Sequence, residues 1–352
     1  MLRGGMMRDR VETTPRILAV GTATPRERFT QAEILRWTGY TDPLRRGFFL
    51  RSGIKHRRLF LDRETFTPDE TVDQLNARFE RGSLELGCQA ILDCLEQGRV
   101  APQEIDFLAT TTCTGRLCPS LDTRFIRALR MRHDIQRVHV GDTGCASGVV
   151  ALEQAFNYIK AHPAGRALVV SAEICSATYY LDDAPETAVA NAIFADGAAA
   201  VLVAGAGDGV ALVEKRTLLR PEHLDLMGFI YPGGRPRILL SKEIRHVAAV
   251  MLEELSASML AENGLKRRDI RFWVLHSAGR RVLEKAKDLL GLTDRDLRFS
   301  RQVLRNFGNM SSATVLFVLD AVLRSREPRP GDWGILAALG PGFAAEGLLL
   351  RW

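Results

Sequence analysis

Residues 144–152 read GCASGVVAL, and residues 308–316, 164 positions further along the chain, read GNMSSATVL. Two further pairs of stretches match in the same order and at nearly the same spacing: EIDFLATTT at 104–112 with DIRFWVLHS at 269–277, and AGRALVVSAE at 164–173 with PGDWGILAAL at 330–339. Self-similarity at one spacing indicates a duplicated structural unit. The chain is therefore predicted to contain two copies of one unit.

Each copy alternates strands with apolar helices. In the first, a β-rich run at 138–141 ends in a tight turn, a helix starts at Cys145 or just after, and the strand ALVVSAE follows. In the second, a helix starts at Asn309 and the strand WGILAAL follows. This alternation predicts an α/β protein, and helices that are apolar on most sides lie between layers. We expect two sheets enclosing buried helices, a duplicated αβαβα sandwich with pseudo-twofold related halves.

The 352 residues suffice for one large duplicated domain. We expect a flexible arm at 1–15, a first half at 16–206 and a second half at 207–352. Hydrophobic residues make up 46% of the chain and charged residues 26%, the balance of a soluble globular protein. No apolar run reaches the roughly 18–20 residues that cross a bilayer, and the polar N-terminus lacks the apolar segment of a secretory signal. A cytoplasmic protein without a membrane partner is expected.

The chain carries 48 lysines and arginines against 42 acidic residues, a net charge of +6. Arg45, Arg46 and Arg51 concentrate part of this excess. A solvated surface, a nucleic acid and a phosphorylated small molecule such as coenzyme A are all compatible with the cluster. The sequence lacks interleaved aromatic residues and any nucleic-acid motif, so no nucleic-acid partner is expected. None of the six cysteines is spaced as a C-x2-C pair, so no metal site is expected.

Cys145 and Asn309 occupy matching positions in the two copies, each predicted at the N-terminal end of a buried helix. If a pseudo-twofold axis relates the copies, these helix ends meet at the centre. A helix N-terminus carries partial positive charge and lowers the pKa of a cysteine there by about one to a few units. Cys145 is therefore a candidate nucleophile, although a free cysteine is also among the most commonly buried residues.

His276 ends the predicted strand FWVL and enters the loop Ser277-Ala278-Gly279. A cysteine–histidine pair supports acyl transfer onto sulfur. Hydrogen bonds from His276 and Asn309 would hold a thioester oxygen as it becomes an enolate. This set suits decarboxylation of a malonyl thioester and attack of the resulting carbanion on an acyl-cysteine. A cysteine hydrolase also uses such residues, but it does not need a chain built from two equal halves.

Four stretches resemble the chalcone synthase-like type III polyketide synthases, in the family's order from about residue 16 to 352: ILAVGTATP at 17–25, IFADGAAAVLV at 193–203, GNMSSATVLFVLD at 308–320 and LGPGFAAE at 339–346. The resemblance implies the thiolase fold, a homodimer, coenzyme A thioesters as substrates, and no metal or redox cofactor. It also implies iterative decarboxylative condensation of malonyl-CoA followed by cyclisation.

The resemblance assigns roles to residues. Cys145 matches the nucleophile, and His276 and Asn309 match the pair that supports decarboxylation. Phe194 matches one aromatic gatekeeper, and Phe229 is the expected second one, with Ile230 as the alternative if the alignment shifts by one residue. Further matches fall in three groups: a substrate cavity (Cys113, Thr114, Cys118, Cys175, Thr178, Ala190, Ser311), coenzyme A contacts (Arg45, Arg46, Arg51) and a cyclisation turn (Gly340, Pro341, Gly342).

The motifs CSAxYxLD at 175–182 and TAVxNxxF at 187–194 resemble the bacterial 3,5-dihydroxyphenylacetyl-CoA synthase branch. This implies malonyl-CoA as starter and extender and a resorcinol-type ring. Cys113 and Cys175 are small and apolar, which does not support a large aromatic starter held by hydrogen bonds. Cys118 matches a residue that reaches across the dimer.

Pyrone or alkylresorcinol synthesis from another acyl-CoA remains an alternative product class, and a non-catalytic acyl-thioester-binding protein remains an alternative of another kind. A ketoacyl-carrier-protein synthase III or a hydroxymethylglutaryl-CoA synthase would share the fold, but GNMSSATVLFVLD and Phe194 argue against both. A nicotinamide-dependent dehydrogenase is disfavoured because no G-x-G-x-x-G opens a helix after a strand.

Overall fold

The computed structural model describes residues 13–352. Residues 1–12, which make up most of the expected N-terminal arm, lie outside the described residues. The described chain enters the fold at Pro15, whose carbonyl oxygen accepts a hydrogen bond of 2.8 Å from the backbone N–H of Leu212. The first half of the chain is thus attached to the second from its first residues.

Thirteen strands are present in the described part of the chain: β1 (Arg16–Ala23), β2 (Arg28–Thr30), β3 (His56–Arg58), β4 (Phe107–Thr112), β5 (Gln136–Gly141), β6 (Arg166–Ile174), β7 (Asp196–Ala204), β8 (Val210–Leu219), β9 (Met227–Ile230), β10 (Arg237–Leu240), β11 (Ile270–Leu275), β12 (Trp333–Gly340) and β13 (Ala344–Arg351).

Residues 13–352 also form ten α-helices: α1 (Gln31–Thr38), α2 (Pro43–Leu50), α3 (Val72–Gly98), α4 (Leu121–Ala128), α5 (Ser147–Ala161), α6 (Pro185–Ile193), α7 (Ile244–Glu262), α8 (Arg280–Leu290), α9 (Arg298–Phe307) and α10 (Thr314–Arg324). Short 3-10 turns precede α5 and α10, at Gly144–Ala146 and Ser311–Ala313.

Nine strands form one sheet in the order β11-β12-β13-β8-β1-β7-β6-β4-β5. From β1 outward, the pairs with β7 and then β6 are antiparallel and the pair of β6 with β4 is parallel. From β8 outward, β13 and β12 are antiparallel and the pair of β12 with β11 is parallel. The two halves therefore repeat one topology, which confirms the duplication. β5 extends the first half by one strand.

The two expected sheets are joined by hydrogen bonds at one place. There, β1 and β8 pair antiparallel through only two residue pairs, Arg16 with Ala211 and Ile17 with Val210. The proposed boundary between residues 206 and 207 lies in the connection from β7 to β8. Because this connection is narrow, each half of the sheet has a separate face against which the buried helices pack.

The helices form the remaining layers. α5 packs against β4 and β6 of the first half and against β12 and β13 of the second, while α10 packs against β11 and β12 and against β1 and β7. On the outer faces, α3 covers β1, β6 and β7, and α7 covers β8, β12 and β13. The chain therefore has the duplicated αβαβα thiolase fold, with α5 and α10 in its central layer.

A pair of buried carboxyl groups links the central layer to the sheet. Glu153 on α5 and Glu346 on β13 are 6% exposed each, and Glu346 accepts a hydrogen bond of 2.6 Å from the hydroxyl of Thr217. Burial and the nearby Glu346 raise the pKa of Glu153 to about 8, although Lys215 opposes the shift. Burial also raises the pKa of Glu346. At neutral pH the pair therefore retains a proton.

This pair predicts a pH-dependent stability. The folded carboxyl of Glu153 keeps a proton that the unfolded chain gives up, so the free energy of unfolding should fall as the pH rises from about 5 to about 8, by up to about 1.4 kcal/mol per pH unit. Glu153→Gln should flatten this dependence in urea denaturation at a series of pH values. Glu253→Gln, at an exposed position of α7, is the control. Equal pH slopes for Glu153→Gln and the unmodified protein would contradict the shared proton.

Candidate active site

The candidate residues collect where the parallel strands end. β4, β5, β6 and β11 each belong to a parallel pair, and the residue that follows the end of each strand, directly or after a short turn, belongs to the predicted site: Cys113, Cys145, Cys175 and His276. Ligand sites of α/β folds commonly form at the carboxyl ends of such strands. The fold therefore brings together residues that are up to 163 positions apart in the sequence (113 to 276).

Cys145 lies in the turn Gly144–Ala146, immediately before α5 begins. Gly144 has a φ of +54°, and a Cβ there would overlap the ring of Pro341. A Cβ at Gly340 would approach that of Ala146 to 2.9 Å. The predicted cyclisation turn Gly340-Pro341-Gly342 thus packs directly against the turn that holds Cys145, and Gly144 is required both by the backbone angle and by the close approach.

The predicted equivalence of Cys145 and Asn309 is wrong. The turn Gly144–Ala146 corresponds to Ser311–Ala313, because each begins with a residue of positive φ (+54° and +47°) and leads directly into a central helix. The structural counterpart of Cys145 is Ser312, and α10 begins at Thr314 rather than at Asn309. Similar residue types pair positions that are 164 apart in the sequence. The structurally equivalent positions are 167 apart, as Ser147 at the start of α5 and Thr314 at the start of α10 show.

Asn309 is instead held in extended backbone. Its N–H and carbonyl oxygen bond to Ile193 and Ala195, both at 2.8 Å, on either side of Phe194. Its side-chain oxygen accepts from the backbone N–H of Ser311 at 2.9 Å, and its Nδ2 donates to the carbonyl oxygen of Ala278 at 3.1 Å. The amide is therefore oriented with its NH2 toward the loop after β11, which supports its use as a fixed donor.

His276 occupies that loop and is 5% exposed. Its backbone N–H donates to the carbonyl oxygen of Ala337 on β12 at 2.9 Å. Neither ring nitrogen has a hydrogen-bond partner within residues 13–352, although both are buried. Burial alone lowers the pKa of His276 to about 4, so the imidazole is neutral at physiological pH. One ring N–H and one ring lone pair are free for a substrate.

The thiol of Cys145 lies 3.5 Å from the hydroxyl of Ser311. Cys145 is partly exposed because it borders a cavity, yet the surrounding protein displaces bulk water from its sulfur. Burial raises the pKa of Cys145 to about 12, with a further contribution from the buried Glu173. The expected lowering of this pKa is not found, because desolvation is the largest effect on the thiol. Both Cys145 and His276 are uncharged without substrate, so the thiol needs a base when a thioester binds.

Sequence analysis missed Glu173, which is fully buried beneath the site. Its carboxylate accepts hydrogen bonds from the hydroxyl of Thr114 at 2.8 Å and the backbone N–H of Cys113 at 3.1 Å, and from the hydroxyl of Ser312. Burial raises its pKa. The group ties the loop after β4 to the turn before α10. The sequence did offer a signal for Glu173, because it ends the apolar run ALVVSAE. A carboxylate in a buried strand needs hydrogen-bond partners, which indicates a polar site nearby.

One cavity of about 30 Å³ is bordered by part of the predicted site, but not by His276 or Asn309. Its wall contains Cys145 and most of the substrate-cavity and gatekeeper candidates: Cys113, Thr114, Cys175, Ser311, Phe194 and Phe229. Ile230 is 40% exposed and does not border this cavity, so the structure favours Phe229 for the second gatekeeper position. Pro341 of the cyclisation turn also borders it.

The hairpin of β9 and β10 supplies a wall that the sequence analysis did not identify. Met227, Gly228, Ile238 and Leu240 border the cavity beside Phe229. The turn-forming run YPGGRP at 231–236 lies between two short apolar stretches, which is a hairpin signal. It places these side chains in one element but does not say where that element packs.

A second cavity, also of about 30 Å³, lies next to the first. The two share Cys175, Phe194 and Ile238, so these side chains form the partition between them. Thr178 and Ala190 border the second cavity and not the first. Cys118 is exposed and borders neither of these two cavities, so its predicted reach toward a partner subunit stays a prediction.

Comparison with known proteins agrees with this geometry. Residues 44–220 match the family model described as FAE1/Type III polyketide synthase-like protein, and residues 236–352 match the C-terminal domain of chalcone and stilbene synthases. The chain is a type III polyketide synthase. It is therefore an acyl-condensing transferase.

Two bacterial proteins are similar to this synthase over nearly their whole length. It is 35% identical to a 3,5-dihydroxyphenylacetyl-CoA synthase from Streptomyces toyocaensis over 96% of this chain and 90% of that protein. It is also 35% identical to a 1,3,6,8-tetrahydroxynaphthalene synthase from Streptomyces peucetius subsp. caesius, over 96% and 93% of the two chains.

Solved structures are also similar to the synthase. The PKS-I crystal structure from the brown alga Ectocarpus siliculosus has a TM-score of 0.92 at 27% identity, covering 98% of this chain and 100% of that one. The 1,3,6,8-tetrahydroxynaphthalene synthase of Streptomyces coelicolor has a TM-score of 0.90 at 27% identity, covering 96% and 99%.

The basic cluster of the synthase lies on α2 and at its end. Arg45 is engaged by Asp42 at 2.8 Å and by Asp183, whereas Arg46 and Arg51 are exposed. None of the three borders either cavity, so their contact with coenzyme A stays a prediction. Within residues 13–352 no group of three or more His, Cys, Asp or Glu side chains is placed to hold a metal ion, and no helix is long and apolar enough to cross a membrane.

The pKa values of the substrate-free site predict how Cys145 reacts with iodoacetamide. Since the thiol pKa is about 12 and the imidazole pKa about 4, alkylation of Cys145 should be slow at pH 7 and rise continuously toward alkaline pH. Peptide mass spectrometry separates Cys145 from the exposed Cys118, which serves as an internal reference. A plateau of Cys145 alkylation below pH 7 would instead indicate a preformed thiolate–imidazolium pair.

Proposed function

We propose that this synthase condenses malonyl-CoA units on Cys145. The proposal rests on two hydrogen-bond donors of the site, one fixed by its neighbours and one without a protein partner. The amide of Asn309 is locked by its neighbours, while the buried imidazole of His276 has no protein partner within the described residues. Donors held in place before the reaction stabilise a developing oxyanion without reorganisation.

Loading begins when the sulfur of Cys145 attacks the carbonyl carbon of an acyl-CoA. The thiol proton passes to His276, whose neutral imidazole accepts it, and then to the departing coenzyme A thiolate. Malonyl-CoA next loses CO2, and the electron pair of the broken C–C bond moves into an enolate. The N–H groups of His276 and Asn309 hold the enolate oxygen.

The nucleophilic carbon of this enolate then attacks the acyl thioester on Cys145. A C–C bond forms, the C–S bond breaks, and Cys145 leaves as a thiolate that accepts the lengthened chain from coenzyme A for the next cycle. In this role Phe194 and Phe229 separate the entering thioester from the chain, Arg45, Arg46 and Arg51 bind its phosphates, and the turn at Gly340-Pro341-Gly342 shapes cyclisation.

For the product we propose malonyl-primed synthesis of 3,5-dihydroxyphenylacetyl-CoA. The first observation in support is similarity to enzymes of that name, including one from Amycolatopsis balhimycina at 32% identity over 96% of this chain and 93% of that protein. The second is the pair of motifs CSAxYxLD at 175–182 and TAVxNxxF at 187–194, which resemble that branch of the family.

We propose a homodimer as the working form. β5 lies at one edge of the large sheet, and its residues Gln136 and Arg137 are exposed. An edge strand offers unpaired backbone groups to a second chain. Sedimentation at micromolar concentration measures the state directly.

Cys145→Ala should abolish condensation but retain the decarboxylation of malonyl-CoA to acetyl-CoA, because His276 and Asn309 remain. Asn309→Ala should lower decarboxylation by about 10²–10³-fold, the effect of losing one oxyanion donor. Product analysis by mass spectrometry after incubation with malonyl-CoA alone measures both. Asn76→Ala, at an exposed position of α3, is the control.

Other outcomes distinguish the alternatives. Product that forms only after another acyl-CoA is added would retain the condensing reaction and reject malonyl priming. Absence of product and of any acyl mass on Cys145, with every thioester tried, would favour a non-catalytic acyl-thioester-binding protein.

A further inference from the structure

The second cavity contains a buried cation. Arg57 lies on β3 and is 2% exposed. Its Nε donates to the side-chain oxygen of Gln31 at 3.0 Å, and its Nη1 donates to the carbonyl oxygen of Phe194 at 2.7 Å. Its Nη2 is also buried, but it has no hydrogen-bond partner within the part of the chain that the structure describes. One donor of the guanidinium is therefore left for a ligand.

The charge of Arg57 also lacks a direct counter-ion, although the nearby Asp196 raises its pKa. No carboxylate within residues 13–352 forms an ion pair with it. The nearby buried acid, Asp196, already accepts hydrogen bonds from the backbone N–H groups of Phe60 and Ser176. Burial lowers the pKa of Arg57 to about 9, so it remains charged at neutral pH. A buried charge without a counter-ion is costly, and proteins normally pair such a charge.

A second free donor borders the same cavity. The hydroxyl of Tyr179 is buried and has no hydrogen-bond partner within the described residues. Arg57 and Tyr179 are close enough that each shifts the pKa of the other. Both groups offer N–H or O–H donors, and Arg57 adds a positive charge. Two such donors in one small cavity match a carboxylate, which accepts hydrogen bonds at both oxygens.

The position of Phe194 relates this cavity to the chemistry. Its side chain borders both cavities, while Arg57 holds its carbonyl oxygen. Cys145 borders the first cavity only. The remaining wall of the second cavity is mostly apolar, including Ile34 and Leu61. An acyl chain that started at Cys145 and passed this partition would meet Arg57 and Tyr179.

We propose that Arg57 and Tyr179 bind the terminal carboxylate of an acyl chain carried on Cys145. The pair thereby selects starters that end in a carboxylate over starters that end in a methyl group. This inference rests on the proposed condensing function and gives a physical basis for malonyl priming.

The test uses succinyl-CoA and butyryl-CoA, two thioesters of equal chain length. One ends in a carboxylate and the other in a methyl group, and neither loses CO2 by the proposed reaction. Intact-protein mass spectrometry follows acylation of Cys145 at a series of thioester concentrations. The measured quantity is the ratio of the succinyl to the butyryl second-order rate constant.

Tyr179→Phe should lower this ratio by about tenfold, the loss of one charge-assisted hydrogen bond, while the butyryl rate stays unchanged. The hydroxyl has no protein partner within residues 13–352, so its removal leaves the fold intact. Arg57→Gln should lower the ratio further and raise the butyryl rate. Arg58→Gln is the control, because the neighbouring Arg58 bonds to the carbonyl oxygens of Pro25 and Arg26 and does not border the cavity.

An unchanged ratio in Tyr179→Phe and in folded Arg57→Gln would overturn the inference. If Arg57→Gln does not fold, Tyr179→Phe alone decides. Failure of the condensing function gives a different result, since Cys145 of the unmodified protein would then accept no acyl group from malonyl-CoA, succinyl-CoA or butyryl-CoA.

Discussion

The turn Gly144–Ala146 and the turn Ser311–Ala313 pack against each other where the two halves of the chain meet. A Cβ at Gly148 would lie only 2.5 Å from the carbonyl oxygen of Ser312, so the first turns of α5 and α10 approach at backbone distance. Ser312 also shares a hydrogen bond of 2.7 Å with Ser171. This contact sets Ser311 beside Cys145 and, through the backbone of Ser311, sets the amide of Asn309. The geometry of the site depends on it.

Exclusion of water determines the electrostatics of this site. It raises the pKa of Cys145 to about 12 and lowers that of His276 to about 4, so both side chains are uncharged at neutral pH before a substrate arrives. A low-dielectric site strengthens the hydrogen bonds that hold an enolate. The same surroundings make an unpaired group expensive, which is why the free donors of His276 and Arg57 are informative. At each of these donors, an acceptor atom of a substrate would supply the missing hydrogen bond.

The two cavities of this synthase have different walls. The first is bordered by Cys145 and by the β9–β10 hairpin, including Phe229. The second has mostly apolar walls with a cation at one side. Phe194 links them through its side chain and its backbone, because it borders both cavities, pairs with Asn309 and is held by Arg57. A substitution in the second cavity that displaces Phe194 would therefore also move the amide of Asn309.

Much of this protein was predictable from local sequence. The repeat spacing and the alternation of apolar strands and helices determined a duplicated α/β fold, and the residue types at strand and helix ends pointed to Cys145, His276 and Asn309. Tertiary structure decided the rest. The backbone angles at Gly144 and Ser311 show that equivalent positions of the two copies are 167 residues apart. The comparison of residue types gave 164, an error of three residues. The pKa of Cys145 and the free donor of Arg57 depend on burial by segments far away in the chain. Periodicity is a local property of sequence, whereas desolvation and register arise only when distant segments pack together.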